Sequence, residues 1–192
     1  MPNEFDFQGG FVIDFDFATG LSHTGEPTRR YLNQMKGMYA DEAAFSMADG
    51  DALVYEFYEL GAPEHPGDVA FGTSITYPGK VGNEFFMTKG HFHSIPDTAE
   101  SYLCLSGKGY IIMESPEGEW KAELLTPGKA LYVPKRYAHR SVNVGDAPFI
   151  TFFAFRADAG HDYGTIETQG FRHLIVERAG LPAVIENPKW KR

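Results

Sequence analysis

Beyond Gly50, turn-forming residues punctuate the chain so closely that no long helix fits between them. Short apolar stretches at Ala52–Leu60, Asp68–Tyr77, Glu84–His93, Glu100–Ser106, Gly109–Ser115, Trp120–Leu125, Ala130–Val133, His139–Val144 and Phe149–Phe155 alternate with Gly, Pro and Asp. Apolar runs of this length between turn residues specify strands, and about nine of them in succession specify an all-β barrel or sandwich. The 21 glycines and 12 prolines supply the corners. Arg172–Glu177 and Ala183–Glu186 add strands near the C-terminus. Ahead of Gly50, the best helical segment is Thr28–Ala48. Gly37 divides it, and Asp41 is placed to cap a second short helix over Glu42–Met47. Internal repeats, low-complexity segments and linkers are absent from the sequence, so residues 1–192 read as a single domain with a barrel core over about 52–156.

Charge narrows the partners. Lys and Arg total 17 against 26 Asp and Glu, a net charge of −9. Nucleic acid is excluded, because phosphate backbones demand clustered cations. The average field also repels anions, yet a single phosphate can be held by local donors and a divalent cation. Cys104 is the one cysteine and forms no internal disulfide, which points to a reducing compartment. The first residues carry acids where a signal peptide needs positive charge, and the strongly apolar run Ala147–Phe155 falls far short of the ~20 residues of a membrane span. A cytoplasmic protein with no membrane partner is expected.

Histidines carry the chemical signal. His91 and His93 are one residue apart in an apparent strand, so alternation places both on one face about 6–7 Å apart at the backbone. Glu100 opens the next stretch, where alternation puts Tyr102 and Cys104 on its face. Imidazoles joined by a carboxylate suit Fe(II), Mn(II), Ni(II) or Zn(II) with positions left open for a substrate. The plainer reading of His91-Phe92-His93 is a polar strand face. Further on, Gly128–Asn143 reads as turn, strand, Pro-turn and strand, with His139 beginning the second strand.

Together, His91–Gly107 and Gly128–Asn143 resemble the paired metal motifs of the cupin superfamily. That resemblance implies a cupin-type antiparallel β-barrel, or jelly roll, flanked by short N-terminal helices and C-terminal extension strands. It implies one divalent metal ion per chain on His91, His93, Glu100 and His139. The gap before Glu100 is longer than in the general motif, and Arg136 stands where Gly is usual.

A narrower resemblance runs from about Val54 to Trp190. Thr76–His93 is similar to the signature of cupin-type glucose-6-phosphate isomerases, as are Ala157–Ile166 and Asn187–Trp190, and the spacing before Glu100 is this family's own. The resemblance implies interconversion of glucose 6-phosphate and fructose 6-phosphate, a step of glycolysis and gluconeogenesis, through a metal-stabilised enediolate. Fe(II) is the metal implied first, with Mn, Ni or Zn as alternatives, and a homodimer is the implied assembly. Glu100 becomes the proton carrier, with a hydride shift left open because a metal-held carboxylate is a weak base. His161 assists at the mouth, and Tyr102 hydrogen-bonds a sugar oxygen or fills the barrel. Tyr55, Ser74, Thr88 and Gly90 are implicated at the phosphate.

Strict alternation sets Thr88 and His91 on opposite faces, so a bulge or an amide-led contact is required, and it turns Lys89 away. Ser74 stands where the family has Thr, and Phe155-Arg156 where it often has Tyr-Pro. His23, His65 and His173 read as surface or loop residues, Glu117–Trp120 as a hairpin turn and Cys104 as packing. Two other functions fit the ligand set: a cupin Fe(II) dioxygenase acting on a small organic substrate, and a non-catalytic sugar-binding cupin.

Overall fold

The computed structural model describes residues 10–60 and 65–190. The acidic start of the chain lies outside the described residues. Within them, fifteen strands follow in chain order: β1 (Thr28–Tyr31), β2 (Leu53–Leu60), β3 (Val69–Thr76), β4 (Lys80–Val81), β5 (Glu84–Phe85), β6 (Phe92–His93), β7 (Glu100–Ser106) and β8 (Gly109–Glu114), then β9 (Trp120–Leu125), β10 (Ala130–Val133), β11 (Ala138–Asn143), β12 (Phe149–Arg156), β13 (His161–Asp162), β14 (His173–Arg178) and β15 (Leu181–Glu186). Two helices, α1 (Glu42–Met47) and α2 (Gly164–Gln169), are each six residues long. The described residues form an all-β antiparallel barrel.

Strand β12 organises the larger sheet, whose order is β1-β2-β3-β12-β7-β10. It pairs antiparallel with β3 from Phe149↔Thr76 to Arg156↔Val69, and with β7 on its other side. A second sheet runs β11-β8-β9, and a third β15-β14-β5-β4. One apolar cluster joins Tyr102, Phe153 and Phe155 of the six-stranded sheet to Ile111, Met113 and Leu125 of the three-stranded sheet, so the two sheets face each other across a shared core. Along β7 burial alternates, with Glu100, Tyr102 and Cys104 inward. Burying so much apolar surface stabilises the barrel by roughly 25 cal/mol per Å² removed from water.

Local signals placed most strands within a residue or two, and three expectations need correction. Thr28–Tyr31 is a strand, not the start of a helix. It covers the edge of β2 in antiparallel register, reinforced by an Arg29–Glu56 ion pair at 3.0 Å. Only Leu32–Met35 coils, as a single 3₁₀ segment, before Gly37 takes φ 84°. Helix α1 forms as expected, with the Asp41 carboxylate accepting the Ala44 N–H at 2.9 Å. Glu84–His93 is not one strand. It breaks into β5 and β6, and the residues between them lie along β11 through Met87↔Val142 and His91↔His139. Third, His173 is not a surface residue: its Nδ1 meets Glu114 at 2.9 Å and its ring stacks on Trp120 at 3.8 Å, because the buried Glu114 carboxylate needs donors.

Arg136 explains why its position favours glycine. Its φ is 69°, the left-handed conformation that costs an ordinary L residue roughly 1–2 kcal/mol. Its N–H donates to the Pro96 carbonyl at 2.8 Å, and its side chain makes an exposed 3.4 Å pair with Glu117, a type of pair worth little. Arg136→Gly is expected to raise stability by up to about 1 kcal/mol, the entropy lost by glycine offsetting part of the relief. Arg136→Ala, which keeps Cβ, gives no such gain; urea midpoints of the two variants measure the difference.

Candidate metal centre and adjoining cavity

Strand β7 delivers Glu100, β6 delivers His93, β11 delivers His139, and the bridge opposite β11 delivers His91. Their ligand atoms all lie within 4.8 Å of one another. Neighbouring groups decide which nitrogens face the cluster. The Thr98 hydroxyl donates its proton to the Ile95 carbonyl at 2.7 Å, so at His93 Nδ1, also 2.7 Å away, it must accept. His139 Nδ1 faces the Tyr137 carbonyl at 3.3 Å. Both rings therefore donate outward from Nδ1, and the Nε2 of each faces Glu100 Oε2 at 3.0 Å, free to ligate in the neutral ring.

A carboxylate facing two imidazole lone pairs in a dry interior calls for a cation between them. The Nε2 atoms of His91 and His139 are buried without a hydrogen-bond partner among the described residues. Burial, reinforced by His139, holds the His91 imidazole well below its usual pKa and so neutral. Burial raises Glu100, and the surrounding histidines, His139 foremost, more than offset it, holding the carboxyl well below the ordinary range and ionised. Three imidazoles and one carboxylate converging within 4.8 Å fit a divalent transition metal.

The cavity beside this cluster is reached through a β-bulge. Thr88 N–H donates to Ser141 O at 2.9 Å, while His91 and His139 exchange backbone hydrogen bonds at 3.2 and 3.1 Å. Between these pairs, Lys89 and Gly90 together oppose the single residue Arg140, so one extra residue is inserted. The insertion removes the parity conflict, and Thr88 and His91 line the same cavity. Gly90 takes φ 75°, and a Cβ there would stand 2.6 Å from Phe171 and 2.8 Å from the His139 carbonyl. Glycine is required on both counts. The Thr88 hydroxyl accepts the Ser141 N–H at 3.0 Å, which leaves its own proton to donate outward.

The residues singled out in the sequence gather here. Tyr55, Ser74, Thr88, Gly90, His91, Glu100, Tyr102, His139 and His161 all line the cavity. His93 completes the cluster from a neighbouring groove. Burial, followed by the charge of Glu100, pushes the Tyr102 phenol well above its usual pKa, so it stays protonated and able to donate. His161 arrives because β13 pairs with β6 in the register His161↔His93, setting its ring 4.4 Å from that of His91. Phe155 stacks on His93 at 5.6 Å and forms an apolar wall, whereas Arg156 pairs with Asp158. Lys89 turns aside to Glu167 at 2.6 Å. Cys104 is buried, its thiol raised to about 11 by burial, as befits a packing role.

Sequence reasoning missed three neighbours. Tyr163 lines the cavity two residues beyond His161, on the same alternation that could have found it. Glu59 shares the β2 face of Tyr55, and Arg30 sits directly opposite Tyr55 in the β1–β2 register. Burial raises the Tyr55 phenol, with Arg30 pulling it the other way. Because β1 itself was read as helix, no local signal exposed Arg30.

Comparison with known proteins gives a consistent result. The profile of the family described as Glucose-6-phosphate isomerase (GPI) matches residues 29–191. A curated protein named glucose-6-phosphate isomerase from Thermococcus litoralis is 48% identical over 183 residues, covering 94% of this chain and 96% of the relative. Its namesake from Pyrococcus furiosus is 45% identical over 184 residues, covering 95% and 97%. A Rhizobium meliloti protein named putative glucose-6-phosphate isomerase 1 is 40% identical, covering 95% and 87%. Among solved structures, Lactobacillus farciminis oxalate decarboxylase in its formate complex gives a TM-score of 0.46 at 15% identity, over 57% of this chain and 30% of that one.

The ring-orienting contact of Thr98 yields a direct test of the metal centre. Thr98→Val keeps the shape and removes the nearer acceptor of His93 Nδ1–H, leaving only the Thr98 backbone carbonyl at 3.2 Å. Titration of the metal-free protein with Fe(II) or Mn(II) is expected to show affinity reduced about 10–100-fold relative to wild type.

Proposed function

The chain belongs to the glucose-6-phosphate isomerase family, and from that premise we propose that it interconverts glucose 6-phosphate and fructose 6-phosphate in the cavity beside the histidine cluster. One observation carries the reading: a converging four-ligand cluster and a set of anion-capable donors share that cavity. The phosphoryl group is held by the Thr88 and Ser74 hydroxyls, the Gly90 N–H and the Tyr55 phenol. These neutral donors suit a phosphate inside an acidic protein. C1 and C2 of the sugar then lie towards Glu100.

His161, at the mouth, moves protons between the C1 hydroxyl and the ring oxygen, opening the pyranose. Tyr102 donates to a sugar oxygen and fixes the open chain. Glu100 removes the proton from C2 and returns it to C1, while the hydroxyl proton of O2 passes to O1, so that the aldose becomes the ketose through an enediol. His91, His93, Glu100 and His139 would hold the divalent metal, which when bound supplies Lewis-acid stabilisation of charge developing on the sugar oxygens. Fe(II) is our first choice, with Mn(II), Ni(II) and Zn(II) as substitutes. The chain acts as one domain in the cytoplasm, serving glycolysis and gluconeogenesis. The open edges at β1 and β10 are the surfaces that favour a homodimer.

A second reading of the hydrogen transfer draws support from Glu100 itself. Its carboxyl is held well below the usual range, which weakens it as a base. Transfer of hydrogen with its electron pair directly from C2 to C1 needs no such base. Heavy water separates the routes: proton transfer brings solvent deuterium to C1, whereas a hydride shift retains the original hydrogen.

The isomerase reading is tested with fructose 6-phosphate, scoring glucose 6-phosphate by a coupled dehydrogenase. Activity is expected to vanish on chelation and return with added Fe(II). Glu100→Gln is expected to lose about 10²–10⁴ in kcat. Absence of isomerisation with every divalent metal, or oxygen uptake in its place, would contradict the reading.

A further inference from the structure

Arg140 is a buried cation behind the cavity wall. It is 2% exposed. Its guanidinium donates from Nη2 to the Lys89 carbonyl, touches Met87 Sδ at 3.1 Å through Nη1, and lies over the Phe171 ring at 4.2 Å. It forms no ion pair with a carboxylate among the described residues, and the buried Glu84 commits one carboxylate oxygen to the Ala40 N–H at 2.6 Å. A guanidinium taken out of water and left without a directly paired anion is costly, and such an arrangement persists only where the rest of the structure enforces it.

Its position shows what it enforces. Arg140 is the single residue opposed by the two-residue bulge at Lys89 and Gly90. On β11 it alternates with His139 and Ser141, both of which line the cavity, so its side chain projects from the opposite face of the strand. The Lys89 carbonyl is drawn back onto that face by Nη2. In a planar trans peptide the N–H points opposite to the C=O, so the Gly90 N–H is turned away from Arg140, to the side where the cavity lies. The same peptide, polarised by a full positive charge at its oxygen, becomes a stronger donor at its nitrogen.

We propose that Arg140 is the positioning residue of the anion subsite: by clamping the Lys89 carbonyl it fixes the bulge, aims the Gly90 N–H at a phosphoryl oxygen, and brings positive charge to that oxygen through the peptide. The proposal rests on the reading that this cavity takes a sugar phosphate. It also places a cation behind the anion subsite of an acidic chain, a role Lys89 does not fill because it is engaged with Glu167.

Arg140→Met and Arg140→Lys test the proposal, with metal content, KM and kcat for fructose 6-phosphate, and competitive inhibition by inorganic phosphate as readouts. Wild type is measured first: failure to isomerise fructose 6-phosphate defeats the functional reading itself, independently of Arg140. Given an active wild type, Arg140→Met is expected to raise both KM and the phosphate inhibition constant at least tenfold. Metal content is expected to stay at wild-type level and kcat to change less than threefold. Arg140→Lys keeps the charge without the planar fork and should fall between, at three- to tenfold. Guanidinium added to Arg140→Ala is expected to recover part of the phosphate affinity.

A merely structural role would lower metal content and kcat together and leave KM and the phosphate constant in place. That pattern in either folded variant would overturn the proposal. Where Arg140→Met does not fold, Arg140→Lys alone decides, and wild-type KM and phosphate inhibition in that variant would likewise overturn it.

Discussion

Glu100 faces two imidazole nitrogens whose protons are committed elsewhere. Thr98 and Tyr137 hold the Nδ1–H groups of His93 and His139, so the Nε2 lone pairs and an ionised carboxylate meet at 3.0 Å. Such a meeting is repulsive in a dry interior unless a cation joins it. The barrel exists in the form it does to bring these groups together. Strands β6, β7 and β11 each contribute a ligand, and antiparallel pairing of β13 with β6 adds His161 beside them. A cation at that point would serve the carboxylate and the three imidazoles and, in the proposed function, the charge that develops during isomerisation.

The second constraint is one of parity. A strand that offers His91 to the histidine cluster cannot also offer Thr88 to the same cavity while alternation holds. One inserted residue resolves it, and only glycine fits at Gly90, where φ is positive and Phe171 and the His139 carbonyl crowd the position of a Cβ. Arg140 then closes the back of the insertion. In the proposed reading, a single backbone irregularity sets the spacing of the anion end and the metal end.

Most of this was legible in the sequence, for identifiable reasons. Apolar runs between Gly and Pro mark strands whatever they pair with, and β7, β9 and β10 fall where those runs end. The ligand quartet was readable because His91, His93 and Glu100 are close in sequence and His139 lies in a separate, regular motif. What was hidden depends on contacts distant in sequence. Thr28–Tyr31 has the local character of a helix, and becomes a strand only because the edge of β2 is available to it. The break within 84–93 is masked by a continuous apolar run, since the partner that bends it, β11, lies some fifty residues on. His173 and Glu114 likewise meet across the fold. The need for a bulge was visible from spacing alone; the residue that braces it was not.

Crystallography of the metal-loaded protein with fructose 6-phosphate, using anomalous scattering at the metal edge, tests the central claim most directly. The account predicts one metal peak among His91, His93, Glu100 and His139, with the phosphoryl group against Thr88 and the Gly90 N–H. A metal bound elsewhere, or a phosphate seated in the neighbouring groove lined by Arg136, Arg172 and Trp190, would contradict it.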